Sequence, residues 1–563
     1  NNTVYWTGQS FPRMGRSTQV IGGTVYPHAF FRLGIAAPTA APTVALVAAA
    51  PLAATITTVN NSSTVTVTTP SNHGASVGDY VTLASFPTFN GIIASNFVGS
   101  FKIETVPSTT TLTIALSASA TSAGTGSSVN NGATFNGTVD QLPDFSTSYV
   151  YTFVSTYGEE GPPSAASTVV TTDDNANVAL SNLQTSTNKS NSNFGSSGGT
   201  KRIYRSNTGS NTTAFQFVAE IAMSATTYTD LTANDGLGEV IPSTFWVAPP
   251  DEDTNVYPDG PMKGLTALPN GVFAGFTGKR LCFSDPFLPY AWPTSYRMAI
   301  EEEIVGIKAV GNGLIVGTKG APYLVTGTDP RSMGAIKIEA AQACLSKTSM
   351  VDMGPFVIYA GPEGLVAAAG TDVQVITQGL ITPDQWQATY YPTTINATLW
   401  KGRYLGFYST GSGFGGFVFD PRGGQNAFTT LTASALIRGT FTDPDDGNAY
   451  LIIANQIKKF QAGTTDQTYT WKSKDFVPPK PTSMGFLKVD AEAFPVTVKL
   501  YGDGTLFYTG TIALSGTQHS VSGSFINPAG SSVTINSTSI GEPILRLPAS
   551  VHKTFAIEVS SAK

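Results

Sequence analysis

Between residues 264 and 408, short apolar runs alternate with Gly, Pro and Asp turns. The runs FAGF (273–276), LCF (281–283), LIV (314–316), YLV (323–325), FVIY (356–359) and GLV (364–366) are too short for helices. They are rich in β-branched and aromatic residues, which reads as strands. Turns such as Asn312-Gly313 and Pro362-Glu363-Gly364 separate them. Radial repetition of small sheets of this kind predicts a β-propeller-like central platform. Its last strands are expected at YLGFY (404–408), GFVF (416–419) and YLII (450–453).

Upstream the alternation is stricter. Thr64-Val65-Thr66-Val67-Thr68 puts valine on one face and threonine on the other, and VGDYVTL (77–83), SFKI (100–103) and TLTI (111–114) follow. This pattern predicts a small β-barrel or sandwich. A further set, YVYTFV (149–154), RIYR (202–205), FQFVA (215–219) and TYTD (227–230), predicts a fibronectin-like β-sandwich. Its Asn/Ser-rich loop 171–199 is either unstructured or a contact made only in an assembly. Near the end, VTVKLY (496–501), a turn at Gly502-Asp503-Gly504, LFY (506–508) and FAIEV (555–559) predict a C-terminal β-sandwich. Helix is expected only as a short turn near 383–387. The start carries Arg13, Arg16 and Arg32 among aromatics, which reads equally as a docking arm or a first strand pair. Pro38, Pro42 and Pro51 keep the Ala-rich stretch 36–54 from forming a membrane span, so it reads as a semi-rigid linker. The expected fold is mainly β and multi-domain. It has an arm and linker (1–54), an inserted small β-barrel/sandwich (55–135), a fibronectin-like β-sandwich (136–250), a β-propeller-like platform domain (251–470) and a C-terminal β-sandwich (471–563).

Several long phrases carry a resemblance. SDPFLPYAWP, VGTKGAPYLVTGTDP, CLSK followed by YAGPEGLV, and GLITPDQW lie in the central stretch. YVYTFVSTYGEEGPPS, KRIYRS and RLGIAAP precede it, and WKSKDF and LRLPA…FAIEVS follow it. Together they resemble the tail nozzle proteins of short-tailed phages, the tail tubular protein B type. HGASVGDYVTL followed by GSFKIETV resembles small β modules inserted in phage structural proteins. The resemblance implies a virion structural protein at the distal end of the tail, assembled in the host cytoplasm. It implies a homohexamer under the tail adaptor ring, with tail fibres or tailspikes and the host cell surface as further partners. Genomic DNA would pass through the channel without specific binding.

Composition narrows the alternatives. Charged residues make up 12% of the 563, about half the usual fraction, so Ser, Thr, Asn and Gly must supply solubility. The net charge of −6 lacks the basic excess of a protein that grips nucleic acid. Cys282 and Cys344, both in apolar contexts, read as buried free thiols. The start, NNTVYWTGQ, lacks the features of a signal peptide and an initiator Met, and removal of a few residues is expected.

Motifs for chemistry are sparse. Gly411, Gly413 and Gly416 spell GxGxxG, but the strand-like FVFDP follows where a nucleotide loop opens a helix. Gly278-Lys279 is followed by Arg280, so no Walker A sequence exists. Asp443, Asp445, Asp446 and Gly447 read as an exposed turn, because Asn448 and Ala454 stand where a calcium loop wants Gly and Glu. Glu159 and Glu160 read as a solvated turn before Pro162-Pro163, and Glu301, Glu302 and Glu303 read as the wall of a lectin or lyase pocket or, preferably, as charge on an edge strand that blocks unwanted pairing. The histidines are His28, His73, His519 and His552, with no zinc spacing among them. Their order alone does not exclude a Ser-His-Asp triad, whose members converge in space. No catalytic residue, cofactor or metal ligand is assigned from sequence. The alternative function is a glycan-binding or polysaccharide-degrading surface β-propeller protein, with Trp292, Tyr296 and Trp386 stacking on sugar and Asp384 as a carboxylate.

Overall fold

A computed structural model describes residues 3–16, 30–47, 53–84, 86–127, 133–136, 145–172, 177–185, 198–208, 213–311, 313–424, 427–464, 467–527, 530–540 and 544–562. Asn312 and His28 lie outside these, as does most of the loop 171–199. The chain is mainly β and forms many separate antiparallel sheets. It divides into two compact units, Asn1–Ile457 and Lys458–Lys563.

Residues 263–459 supply five consecutive meander sheets, four of four strands and a last of three whose final strand, Gln456–Lys459, runs across the unit boundary. Their first strands are Lys263–Ala267, Ile304–Val310, Val351–Asp352, Asn396–Trp400 and Ile437–Thr442. The period-two geometry of a strand sends alternate residues to opposite faces, and here both faces are buried. Leu314 and Val316 join a core with the preceding sheet, through Phe276, Leu281 and Phe283. Ile315, between them, joins Val357, Tyr359 and Val366 of the following sheet. Ile358 and Ala360 in turn pack with Tyr404 and Phe417 of the fourth sheet. Each blade therefore shares its core with its neighbours, which is the packing of a β-propeller-like platform.

The expected short turn near 383 is an eight-residue helix, Pro383–Tyr390. Thr382 caps it by accepting from Gln385 N, and Pro383 suits its first turn. It sits over the third and fourth blades because Trp386 and Tyr390 are buried there, with Trp386 Nε1 donating to Gly361 O at 2.9 Å.

The rest of the first unit frames this platform. The small module joins seven strands into one sheet, with Val65, Val67, Leu112 and Ile114 inside. On its outer side Thr125, Thr57, Thr66, Thr113 and Thr105 stand in one cross-strand row. The sandwich core gathers Tyr149, Tyr151, Phe153, Leu180 and Ile203. One expectation is corrected here. Thr43–Leu46, placed in the linker, is a strand that pairs with Val178–Ser181 of the sandwich. Its TVAL sequence is extended and β-branched enough to complete that sheet. The chain start forms a small sheet of Thr3–Trp6, Arg13–Arg16 and Phe31–Arg32, and its Met14 and Tyr5 pack with Trp292, Phe273 and Tyr157.

The second unit has a six-stranded sheet and two two-stranded sheets around Val498, Leu500, Phe507, Phe525 and Leu545. Tyr469–Lys472, which a boundary at 470 would cut, pairs with Phe555–Ser561 in this sheet. Trp386→Ala is expected to lower stability by about 3–5 kcal/mol, the range for emptying a large aromatic site in a core. Thermal or denaturant unfolding of the variant against the parent checks this.

Candidate functional site

The first strands of blades two to five face a common cavity of about 460 Å³. Lys308, Asp352, Asn396, Thr398, Thr440 and Phe441 are among its lining residues. That volume matches a small-molecule site and is far too small to pass a nucleic-acid duplex. Part of its polar lining already holds blades together. Asn396 Nδ2 donates to Ile437 O at 3.2 Å, and the Thr398 and Thr442 hydroxyls meet at 2.7 Å.

The two adjacent glutamates behave differently from the expected solvated turn. Glu160 is 2% exposed. It accepts from Thr152 Oγ1 at 2.8 Å, Tyr204 OH at 2.7 Å, Ser243 Oγ at 3.1 Å and Arg202 Nη1 at 2.9 Å. Neighbouring residues point apart, and an isolated bridge between Val154 and Glu160 turns this carboxylate into the sandwich. Four donors make it a structural tie rather than a free acid or base. Glu159 faces the other way and is half-buried. Burial pushes its carboxyl up to about 7, against a hydrogen bond from Ser155. Tyr5 of the chain start and Tyr290 of the first blade feel its charge, so it sits where three parts of the unit meet.

The arginines of the chain start have partners inside the unit. Arg13 stacks on Phe30 at 3.7 Å and Arg16 on Tyr157 at 4.8 Å. Arg32 lies over Phe11 and pairs with Glu252.

The residues of the glycan reading do not converge. Trp292 and Trp386 are fully buried, in different cores, and Tyr296 lies in a third. Asp384 is exposed in the first turn of the helix. Gly411, Gly413 and Gly416 lie in or beside the hairpin between Arg403–Ser409 and Phe414–Phe419, where Thr410 and Gly413 close the turn. Asp443 and Asp446 accept from the backbone of Asp445 and Asn448, and Asp446 also from Tyr450 OH, so these carboxylates shape their own turn. Glu301 and Glu303 are exposed in the bend before the second blade rather than on an edge strand, where they pair with Lys337 and Lys319. Cys282 and Cys344 are free and buried in different cores. Burial pushes their thiols up to about 11 and about 12, which leaves them poor nucleophiles.

Two histidines have local structural roles. His73 bridges Ser108 O and Ala75 N around its turn. His519 is buried edge-to-face against Phe494. His552 differs. Its Nε2 is hydrogen-bonded to Ser550 Oγ, and its Nδ1 lies 3.4 Å from Asp503 Oδ2. The Asp503-Gly504 hairpin turn, with φ of 50° and 78°, sets the carboxylate in place. Asp503 Oδ1 accepts from Lys553 N at 2.9 Å and Thr554 N at 3.0 Å. These two backbone bonds, with His552, outweigh the effect of burial and hold the carboxyl below its usual range. Ser550 and Asp503 went unremarked as chemistry in the sequence, which showed only the turn. The available signal was Ser and His two apart on an extended segment, a spacing that puts both on one face.

No protein-family model and no curated protein matches the chain. Solved structures align at low similarity. Citrobacter koseri AztD is 10% identical over 73% of this chain and 98% of its own, with a TM-score of 0.25. The extracellular domain of the one-component system BT4673 from B. thetaiotaomicron is 10% identical over 88% and 99%, with a TM-score of 0.23. The S. cerevisiae core factor is 11% identical over 52% of this chain, with a TM-score of 0.22, and the chain spans about half the length of that one. Likeness at this level carries no functional argument.

Glu159 yields a pH prediction. A carboxyl raised from 4.5 to about 7 in the fold binds its proton more tightly folded than unfolded. Stability is therefore lost as pH rises from about 4.5 through 7, by up to about 3 kcal/mol. Glu159→Gln is expected to flatten that fall and to leave the variant more stable than the parent at alkaline pH. Urea midpoints across the window read this directly.

Proposed function

We propose that the protein is a structural component of a short phage tail, a nozzle subunit whose copies surround the DNA path. The observation that carries this reading is where the resembling phrases fall. SDPFLPYAWP forms the loop after the third strand of the first blade, closed by Asp285 N to Ala291 O and by Trp292 Nε1 to Pro289 O. VGTKGAPYLVTGTDP runs from the end of the second strand of the second blade through its third, and YAGPEGLV covers the hairpin of the third blade. The phrases thus recur at the loops and hairpins that build successive blades, as a shared scaffold would require.

The geometry supports a scaffold in two further ways. Most acidic and aromatic candidates from the sequence are occupied in cores, ion pairs or turns. The cavity within one platform, about 460 Å³, is far too small for duplex DNA, and in this reading the conduit lies between copies around a ring axis. Closed cyclic symmetry with head-to-tail contacts provides such an axis, and the resemblance sets the ring at six copies beneath an adaptor ring. With a net charge of −6, the chain suits a path that does not hold its cargo.

A reconstruction of the assembled tail tests the reading. This chain is expected as six copies around the axis at the distal end, and one or three copies, or an off-axis position, would overturn it. The free protein is expected to bind duplex DNA weakly and to lose that binding by physiological salt. A sub-micromolar dissociation constant at that salt would contradict the reading.

A further inference from the structure

We propose that Ser550, His552 and Asp503 of the C-terminal unit form a hydrolytic relay acting on short acyl esters. Three observations meet there. The atoms match the roles, with His552 Nε2 on the serine hydroxyl and Nδ1 toward the carboxylate. The carboxylate is oriented from behind by two backbone N–H groups, as the third member of such a set must be. The imidazole is locked in plane. It stacks on Phe507 at 4.7 Å, and it also lies against Gly502, where any Cβ would collide with the ring at 2.3 Å.

The relay lies close to solvent. The side chains of His552 and Asp503 keep 15% and 47% of their surface, and Ser550 keeps 9%. That opening suits a small acyl group such as acetyl rather than a bulky one. Ser483 Oγ accepts a hydrogen bond from Ser550 N at 3.0 Å. Its own hydroxyl hydrogen is the donor assigned to the oxyanion.

The chemistry closes in two steps. Ser550 Oγ bonds to the ester carbonyl carbon while its proton moves to His552 Nε2. The oxyanion collapses, the ester C–O bond breaks, and the alcohol leaves with the proton from Nε2. Water then attacks the acyl-serine as Nε2 removes its proton. The acid is released and the proton returns to Ser550 Oγ. The imidazolium formed in each step is stabilised by Asp503. Ester and water become acid and alcohol, with no other reactant.

The full-length protein is tested with p-nitrophenyl acetate and with a fluorophosphonate probe followed by peptide mapping. Turnover and labelling at Ser550 are expected. Ser550→Ala should abolish both. Asp503→Asn, at an exposed turn, should leave the fold intact and lower kcat by about 100-fold or more. Absence of label and turnover in the folded parent overturns the proposal, as does turnover unchanged by Ser550→Ala. Label on the parent uses no variant, so a misfolded Ser550→Ala protein does not blur the result. The outcome is separate from the tail reading, which stands or falls on the position of the chain in the particle.

Discussion

A four-stranded antiparallel sheet presents two faces to water and cannot be stable with both exposed. That constraint shapes the central region. Leu314, Ile315 and Val316 are consecutive and all buried, which is possible only with a neighbour on each side of the sheet. The blades must therefore stand in series around a common line. Their first strands then converge, and the cavity beside Lys308, Asp352 and Thr440 is what remains along that line. Because the blades share cores, a defect in one should reach the next through Tyr359 or Phe417.

The same constraint explains what could be read from sequence. Runs apolar at every position, such as LIV and FVIY, mark strands covered on both faces. TVTVT marks a strand covered on one face, and it proved to have valine inside and threonine outside. The Gly502-Asp503-Gly504 turn was legible because few residues adopt the positive φ a two-residue hairpin demands. Features that depend on distant partners stayed hidden. Thr43–Leu46 is a strand only because Val178–Ser181 pairs with it, some 130 residues later in the chain. Glu160 looks like turn punctuation beside two prolines until Arg202, Tyr204 and Ser243 close around it. Trp292 and Trp386 looked available for stacking because aromatic identity does not distinguish a core from a platform.

Charge placement follows from the scarcity of charge. A chain with few ionised groups either leaves them solvated or pairs them, since a buried charge without a partner is costly. Arg205 with Asp230 and Arg202 with Glu160 tie the sandwich internally. Lys201 departs from this pattern. It is fully buried and donates to the Leu183 and Ala225 carbonyls, with no counter-charge paired to it among the described residues, and burial lowers its ammonium to about 8. Glu159 is the acidic counterpart, raised where the chain start, the sandwich turn and the first blade converge. The first unit thus holds an acid and a base that are both easier to neutralise than usual.

The C-terminal relay shows how a hairpin can assemble chemistry that spacing conceals. Asp503 and Ser550 are far apart in the chain. The strand Val496–Gly502 ends beside Phe555–Ser561 in one sheet, which brings the turn at 503 against the backbone at 553 and 554. Thr482–Ser483 pairs with Val551–His552 from the other side and places Ser483 at Ser550 N. Each contact has an ordinary structural reason, namely turn closure, strand pairing and ring stacking on Phe507. Their sum nevertheless fixes the imidazole in one plane with its two nitrogens facing a hydroxyl and a carboxylate. A ring held only for stability could reach a single acceptor and be as well packed. Engagement of both nitrogens, with the carboxylate itself braced by two amides, is the arrangement that moves a proton from a hydroxyl.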